Sequence, residues 1–297
     1  MLREESEEEK MALTTQFWGV RGSVPSPGPD TAGVGGNTSC VALHCDGEYL
    51  ILDGGTGLRQ LGNKLLADMN GSVSASMLFS HVHWDHIQGI PFFTPLFMEQ
   101  TRLALYGNPE EGTLRDALIK QMAPPTFPVA FDDIPAQLLF GDIKVGVDFN
   151  VGRFKVRAAP LNHPGGSLAF RVTRGGRSVV YATDTEHHAD GQLDHNLVEL
   201  ARDADILIYD AQYTNAEYDG HVGPCRHGWG HSTWEEGVKV ARAANVGRLV
   251  LYHHDPSHDD AKVAEIEAKA AAQLPGTIAA REGLSLVLDS HTRREAA

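Results

Sequence analysis

The chain is predicted to be an α+β protein in which helices cover both outer faces of a strand pack. Three observations carry this: strand-length apolar runs dominate the first part, strands then alternate with helical patterns, and the length suffices for one large core. At 297 residues and 42 % hydrophobic content, with no internal repeat or linker, one domain is the simplest organisation. The expected division is a disordered acidic tail over residues 1–14 ("MLREESEEEK") and one folded unit over 15–290.

The elements follow from local pattern. "TQFWGV" (Thr15 to Val20), "SCVALHC" and "EYLILD", ending at Asp53, read as strands around a Gly/Pro-rich loop. After the turn at Gly54, Gly55 and Gly57, the leucines Leu58, Leu61, Leu65 and Leu66 recur at helical spacing. "SASMLFS" is a strand delivering His81, "TRLALYG" a further strand and "GTLRDALIKQM" a short helix. "IKVGVDFNVGRFKVRAAPLNH" reads as a hairpin ending at His163, and "GSLAFRVTRGGRSVVYATD" as another, turning at Gly175-Gly176 and ending at Asp184. A helix in "LDHNLVELARDA", the strand "DILIYDAQ", a helix in "HSTWEEGVKVARAA" capped by Ser232 or Thr233, the strand "RLVLYHH", the helix "AKVAEIEAKAAAQL" and the strand "LSLVLD" complete the order.

The formal net charge of −14 disfavours long nucleic acid, because an acidic surface repels a polyanion. A small anion remains compatible where a site supplies its own positive charge. The odd set of three cysteines, Cys40, Cys45 and Cys225, forms no CxxC pair and fits a reducing compartment, so a cytoplasmic location is expected. No apolar run is long enough for a bilayer, and no membrane partner is expected.

The chemistry is concentrated at strand ends. "HVHWDH" places His81, His83, Asp85 and His86 within six residues, and His163, Asp184 and His253 each end a further strand. His81 and His83, two apart in extended chain, point the same way, whereas Asp85 and His86 diverge as a helix begins. Seven nitrogen and oxygen ligands without thiolate suit two divalent ions, zinc first, with manganese or iron as alternatives. The plain alternative, a set of metal-free histidines, must explain both the cluster and three matching strand ends.

HxHxDH followed by a His, an Asp and a His at strand ends resembles the metallo-β-lactamase superfamily, and the resemblance runs from "FWGVRGSVP" to "LVLYHHDP". It implies a four-layer αββα sandwich with a two-metal centre at one edge of the sheets. Carried over by position, His81, His83 and His163 would hold one metal, Asp85, His86 and His253 the other, and Asp184 would bridge them. Asp184 stands where β-lactamases of this fold carry Cys, and His83 where flavodiiron oxygen reductases carry Glu, which argues against both activities. "FWGVRGSVPSPG", "GGNTSCVAL" and "YLILDGGTGLRQL" resemble the phosphodiesterase branch: tRNA 3′-processing endonucleases, cyclic-phosphate hydrolases and cyclic-nucleotide phosphodiesterases. "GHSTWEEG" is similar to that branch's His-Ser/Thr motif and implies His231 as catalytic acid. Trp84 departs from the branch's HxHGDH form, and no long Gly/Pro-rich arm lies between Gly107 and His163.

The expected catalytic residues are therefore Asp85, also a ligand, and His231; Asp53 is expected to fix a ligand imidazole by accepting its hydrogen bond. "GGNTS" either offers N–H groups to a phosphate or is an ordinary loop. The Gly/His-rich stretch Gly220 to Thr233 is expected as a mobile loop over the site, with Cys225 incidental to the chemistry. His254 should point away from the site; His258 and Asp255 should sit on a surface loop. His187 and His188 are pocket candidates of unknown direction, and His44, His195 and His291 carry no signal.

The expected function is hydrolysis of a small phosphodiester such as a cyclic nucleotide, by a metal-bridging hydroxide with His231 donating to the leaving oxygen. The alternatives are a thioester or lactone hydrolase of the same fold, a tRNA 3′-processing-like nuclease, or a metal-binding sensor or scaffold without turnover. A homodimer is compatible with the sequence.

Overall fold

The computed structural model describes residues 12–109 and 113–289. Two mixed sheets of seven strands pack face to face. The first contains β1 (Leu13–Gly19), β2 (Cys40–Cys45), β3 (Glu48–Leu52), β4 (Ser74–Leu78), β5 (Arg102–Gly107), β6 (Gln137–Asp142) and β14 (Ser285–Leu288), in the order β14-β1-β2-β3-β4-β5-β6. The second contains β7 (Asp148–Val151), β8 (Phe154–Leu161), β9 (Ser167–Arg174), β10 (Arg177–Ala182), β11 (Ile206–Asp210), β12 (Leu249–Tyr252) and β13 (Ile278–Ala279), ordered β13-β12-β11-β10-β9-β8-β7. Antiparallel hairpins start each sheet and parallel strands follow: β3 through β6 in the first, β10 through β13 in the second.

Period-two alternation sorts each strand's side chains between two cores. Leu50 and Leu52 of β3, Ile206 and Ile208 of β11, and Val250 and Tyr252 of β12 face the core between the sheets. Their neighbours Ile51, Leu207, Leu249 and Leu251 face outward under the helices. Helix α1 (Leu58–Asp68) covers the first sheet through Leu58, Leu61 and Leu65. Helices α4 (His195–Ala201), α6 (Trp234–Ala243) and α7 (Asp260–Gln273) cover the second through Leu197, Val238 and Ile266, while α3 (Leu114–Gln121) packs Leu118 into the outer core of the first and the short α5 (Asn215–Tyr218) buries Tyr218. The layers are therefore helix, sheet, sheet, helix, as the resemblance implied.

Local chemistry explains the boundaries. Gly175 and Gly176 have φ of +57° and +76°, the left-handed pair a two-residue hairpin requires. Thr233 caps α6, accepting the Glu236 N–H at 3.4 Å. Three features depart from expectation. Strand β1 begins at Leu13 and pairs with Leu288, so Leu13 and Thr14 belong to the sheet rather than to the tail. Strand β6, "QLLFGD", was not foreseen; it is an edge strand with no fully buried residue, so it shows no strong apolar pattern. The first expected hairpin begins at β7; of the preceding "IKV", only Val145 makes an isolated bridge, to Ala158. Most of the acidic tail and His291 lie outside the described residues.

Candidate metal centre

Parallel strands that end at one rim of a sheet aim the residues that follow them into one place. β4 ends at Leu78 and its extension carries His81 and His83 into the short helix α2 (Trp84–Ile87), which holds Asp85 and His86. β8, β10 and β12 are followed by His163, Asp184 and His253. Asp53, Asp184 and His253 leave their strands with φ of +60°, +52° and +60°. Non-glycine residues seldom adopt this region, and its recurrence at three convergent strand ends marks a functional site.

All seven expected ligands come together. His81, His83, His163 and Asp184 form one group, and Asp85, His86 and His253 another, each with ligand atoms mutually within 4.8 Å. Asp184 spans the two. Its Oδ2 lies 3.6 Å from His81 Nε2 and 3.8 Å from His163 Nε2; its Oδ1 lies 3.2 Å from both His86 Nε2 and His253 Nε2. Asp85 Oδ2 closes the second group at 3.3 Å from His86 and 3.4 Å from His253.

The imidazoles are held from behind. His81 Nδ1 meets Ser80 Oγ at 3.0 Å, His163 Nδ1 meets the Gly230 carbonyl at 2.8 Å, and His253 Nδ1 meets Gln212 Oε1 at 3.0 Å. Asp53, fully buried, accepts at 2.8 Å from His86 Nδ1, at 2.7 Å from the Ser80 N–H, and at 2.8 Å from the Ser80 and Tyr181 hydroxyls. With Nδ1 protonated against these acceptors, each ring turns a lone pair on Nε2 into the centre. The Nε2 atoms of His81, His86 and His253 are buried and lack any hydrogen-bond partner. Buried polar atoms are nearly always satisfied, so three convergent orphans beside two carboxylates fit a bound cation.

Electrostatics agree. Burial pushes the Asp184 carboxyl up, but His253, His86 and His81 outweigh it and hold the group well below the usual range. Burial likewise opposes ionisation of Asp85, and His86 and His253 reverse that. Burial depresses His81, whereas His86, facing Asp184, Asp85 and Asp53, is raised against its own burial. Without a cation the carboxylates favour a proton on His86, which a metal at His86 Nε2 would displace.

His231 adjoins the centre without joining either of these two groups. Its Nδ1 lies 2.9 Å from Asp210 Oδ2, at the end of β11, and its ring centroid lies 5.0 Å from that of His253. Asp184, Asp210, His231 and His253 also bring one ligand atom each to within 4.8 Å of one another. The Asp210 hydrogen bond, however, already occupies His231 Nδ1. Burial lowers the His231 pKa, but Asp210, Asp184 and Asp85 raise it further, to about 9.

Several supporting residues carried no motif. Asp210 ends an apolar strand, the same signal that marked Asp184. Glu186 accepts the Gly228 N–H at 2.7 Å, the Gly230 N–H at 2.8 Å and the Tyr218 hydroxyl at 2.6 Å, so it anchors the loop expected to be mobile. The Ser23 N–H donates to Asp85 at 2.8 Å. Arg21, fully buried, donates to the carbonyls of Gly35, Asp255 and His258, tying the first loop to the segment after His253. His258 and Asp255 are therefore buried, not on a surface loop: His258 pairs with Glu217 at 2.9 Å. In "GGNTS" the N–H groups of Gly35, Asn37 and Thr38 are donated to Thr31, Glu282 and Thr56, which withdraws them from any phosphate. His254 is buried against the Ala280 carbonyl, away from the centre. His187 meets Ser232 Oγ at 3.2 Å, while His188 is exposed. Cys225 is exposed.

The sandwich with this centre at its rim defines a metal-dependent hydrolase. The chain belongs to the beta-lactamase superfamily: residues 49–254 match the model of the "Beta-lactamase superfamily domain" family. Among curated relatives, ribonuclease Z of Gemmatimonas aurantiaca is 26 % identical over 94 % of this chain and 96 % of its own, and that of Archaeoglobus fulgidus 25 % over 93 % and 98 %. Among solved structures, the fold is shared with YhfI of Bacillus subtilis (TM-score 0.69, 19 % identity, 94 % of this chain and 100 % of that one). It is also shared with a diphosphatase from the PhnP family (0.67, 20 %, 93 % and 98 %) and human tRNase Z, short form (0.63, 23 %, 92 % and 98 %). The ribonuclease Z relatives support the phosphodiesterase branch of the superfamily. No helix among the described residues is long and apolar enough to cross a membrane.

Proposed function

We propose that the chain hydrolyses phosphodiesters of nucleotide size at a two-metal centre. The observation that carries this is Asp184, whose two carboxylate oxygens face two separate groups of ligand atoms. His81, His83 and His163 would hold one cation, Asp85, His86 and His253 the other, with Asp184 between; the all-nitrogen-and-oxygen donor set favours zinc. Bound there, two cations would supply an activated water and offset charge on the phosphoryl oxygens.

The chain's own groups supply the rest. Asp53 fixes the His86 ring and, through Ser80, the His81 ring. The Ser23 N–H orients Asp85. His231, held by Asp210, carries the proton for the leaving oxygen. Cations bound beside it would lower its proton affinity from the value that Asp210, Asp184 and Asp85 set. The charge of −14 favours a compact anion.

The ribonuclease Z names of relatives spanning nearly the whole chain favour a second reading, RNA 3′-end cleavage. Zinc-loaded and chelator-stripped protein should be compared on bis(p-nitrophenyl) phosphate, cyclic nucleotides, a precursor tRNA and a thioester. Metal-dependent turnover of the small phosphodiesters is expected. Cleavage of the precursor tRNA alone would establish the RNA reading, and thioesterase activity alone would overturn both.

A further inference from the structure

Beside the centre, on the same rim, lies a groove of about 590 Å³ whose lining includes Trp84, Phe92, Phe127, Arg59 and Lys120. This is ligand-sized. Trp84 stands between His83 and Asp85 in the chain, so its Cα is about 3.8 Å from each of theirs. Yet Trp84 is 68 % exposed and Phe92 59 % exposed, while Phe127 meets Phe92 edge-on at 5.9 Å between ring centroids. Arg59 and Lys120 form no ion pair with a described residue. A larger groove of about 630 Å³, lined by Arg177, Asp205 and Leu288, lies at the opposite rim and has no aromatic side chain in its lining.

An exposed indole, further aromatic faces and two unpaired cations in an acidic chain suit a flat ring carrying negative charge. We propose that this groove is a nucleobase subsite in which Trp84 stacks on the base of a nucleotide whose phosphate lies at the centre. Arg59 and Lys120 attract the anion, and the stacking confers a preference for nucleotides over phosphates that lack a base. The inference rests on the phosphodiester reading and names its substrate class.

The test is calorimetric binding to the zinc-loaded protein of adenosine 5′-monophosphate against ribose 5-phosphate, which differ by the base alone. Wild type should bind the nucleotide about 5- to 100-fold more tightly, the usual worth of one stacked base. Trp84→Ala should bring that ratio close to one, and Trp84→Phe should restore most of it. A wild-type ratio near one overturns the proposal, as does an equal weakening of both ligands in Trp84→Ala, which would make Trp84 a support for the metal loop. Sedimentation supplies a further check: a wild-type dimer that Trp84→Ala splits with base preference intact would assign the groove to a second copy of the chain. Bis(p-nitrophenyl) phosphate turnover is read separately. Turnover without base preference fails the subsite alone; base preference without turnover fails the catalytic reading alone.

Discussion

His231 Nδ1 and Asp210 Oδ2 lie 2.9 Å apart, joining the loop before α6 to the end of β11. The bond spends Nδ1 and leaves Nε2 free to exchange a proton, the role proposed for it at the leaving oxygen. His231→Ala should therefore keep both metals while turnover falls about 10²- to 10⁴-fold. The loss should be smaller on a nitrophenyl ester, whose leaving group needs little protonation. Metal analysis alongside kinetics on both substrates decides it: loss of metal would make His231 a ligand, and equal losses on both substrates would make it a positioning group. Asp210→Asn removes the charge that raises the His231 pKa, so the basic limb of the kcat–pH profile should move to lower pH.

Asp184→Ala should empty both metal positions and abolish hydrolysis, because its two oxygens are shared between the groups. The sheets keep their own core, so the circular dichroism of the stripped variant should match that of stripped wild type. Retained turnover would remove Asp184 from the bridging position.

Gly230 has φ +86°, and a Cβ there would overlap His163 Nδ1 and Pro164. Gly228 shares the left-handed conformation at φ +78° but has open space around it. Gly230→Ala should weaken metal binding and activity together by at least tenfold, whereas Gly228→Ala should incur only the backbone strain. Competition with a chromogenic chelator would show the difference; equal affinities in the two variants would refute the steric argument.

Glu217 governs a pH effect on stability. Burial raises its pKa, but the hydrogen bonds from His258 and Thr214 lower it further, to about 2. A depressed carboxylate stabilises the fold above its unfolded pKa, and that contribution is lost as pH falls from about 4.5 towards 2. With part of the side chain reaching water, the effect is on the order of 1–2 kcal/mol. Thermal melts of chelator-stripped protein between pH 6 and pH 3.5 should fall more steeply for wild type than for Glu217→Gln. Parallel curves would assign acid sensitivity to other groups.

The seven residues were legible because the HVHWDH cluster, His163, Asp184 and His253 each follow a strand, and a rigid strand end is the simplest device for aiming a side chain. The supporting residues were not, because their roles exist only across tertiary contacts. Tyr181 reaches Asp53 over 128 residues of sequence, and Glu186 reaches Gly230 over 44. Asp210 carried the same strand-end signal as Asp184 without a neighbouring ligand-type motif to draw notice. His258 and Asp255 read as surface loop because sequence does not reveal that Arg21 draws their carbonyls inward. β6 stayed invisible for the opposite reason: an edge strand can form from backbone pairing with little apolar side-chain pattern.

The centre draws His81, His83, Asp85 and His86 from the first sheet and His163, Asp184 and His253 from the second. Neither half of the chain supplies both groups, so loading of the full centre should be confined to chains whose two sheets have already met. Metal uptake during refolding should thus report the docking of the halves, lagging behind the appearance of secondary structure, and a chelator should slow the final locking of the seam more than the formation of either sheet.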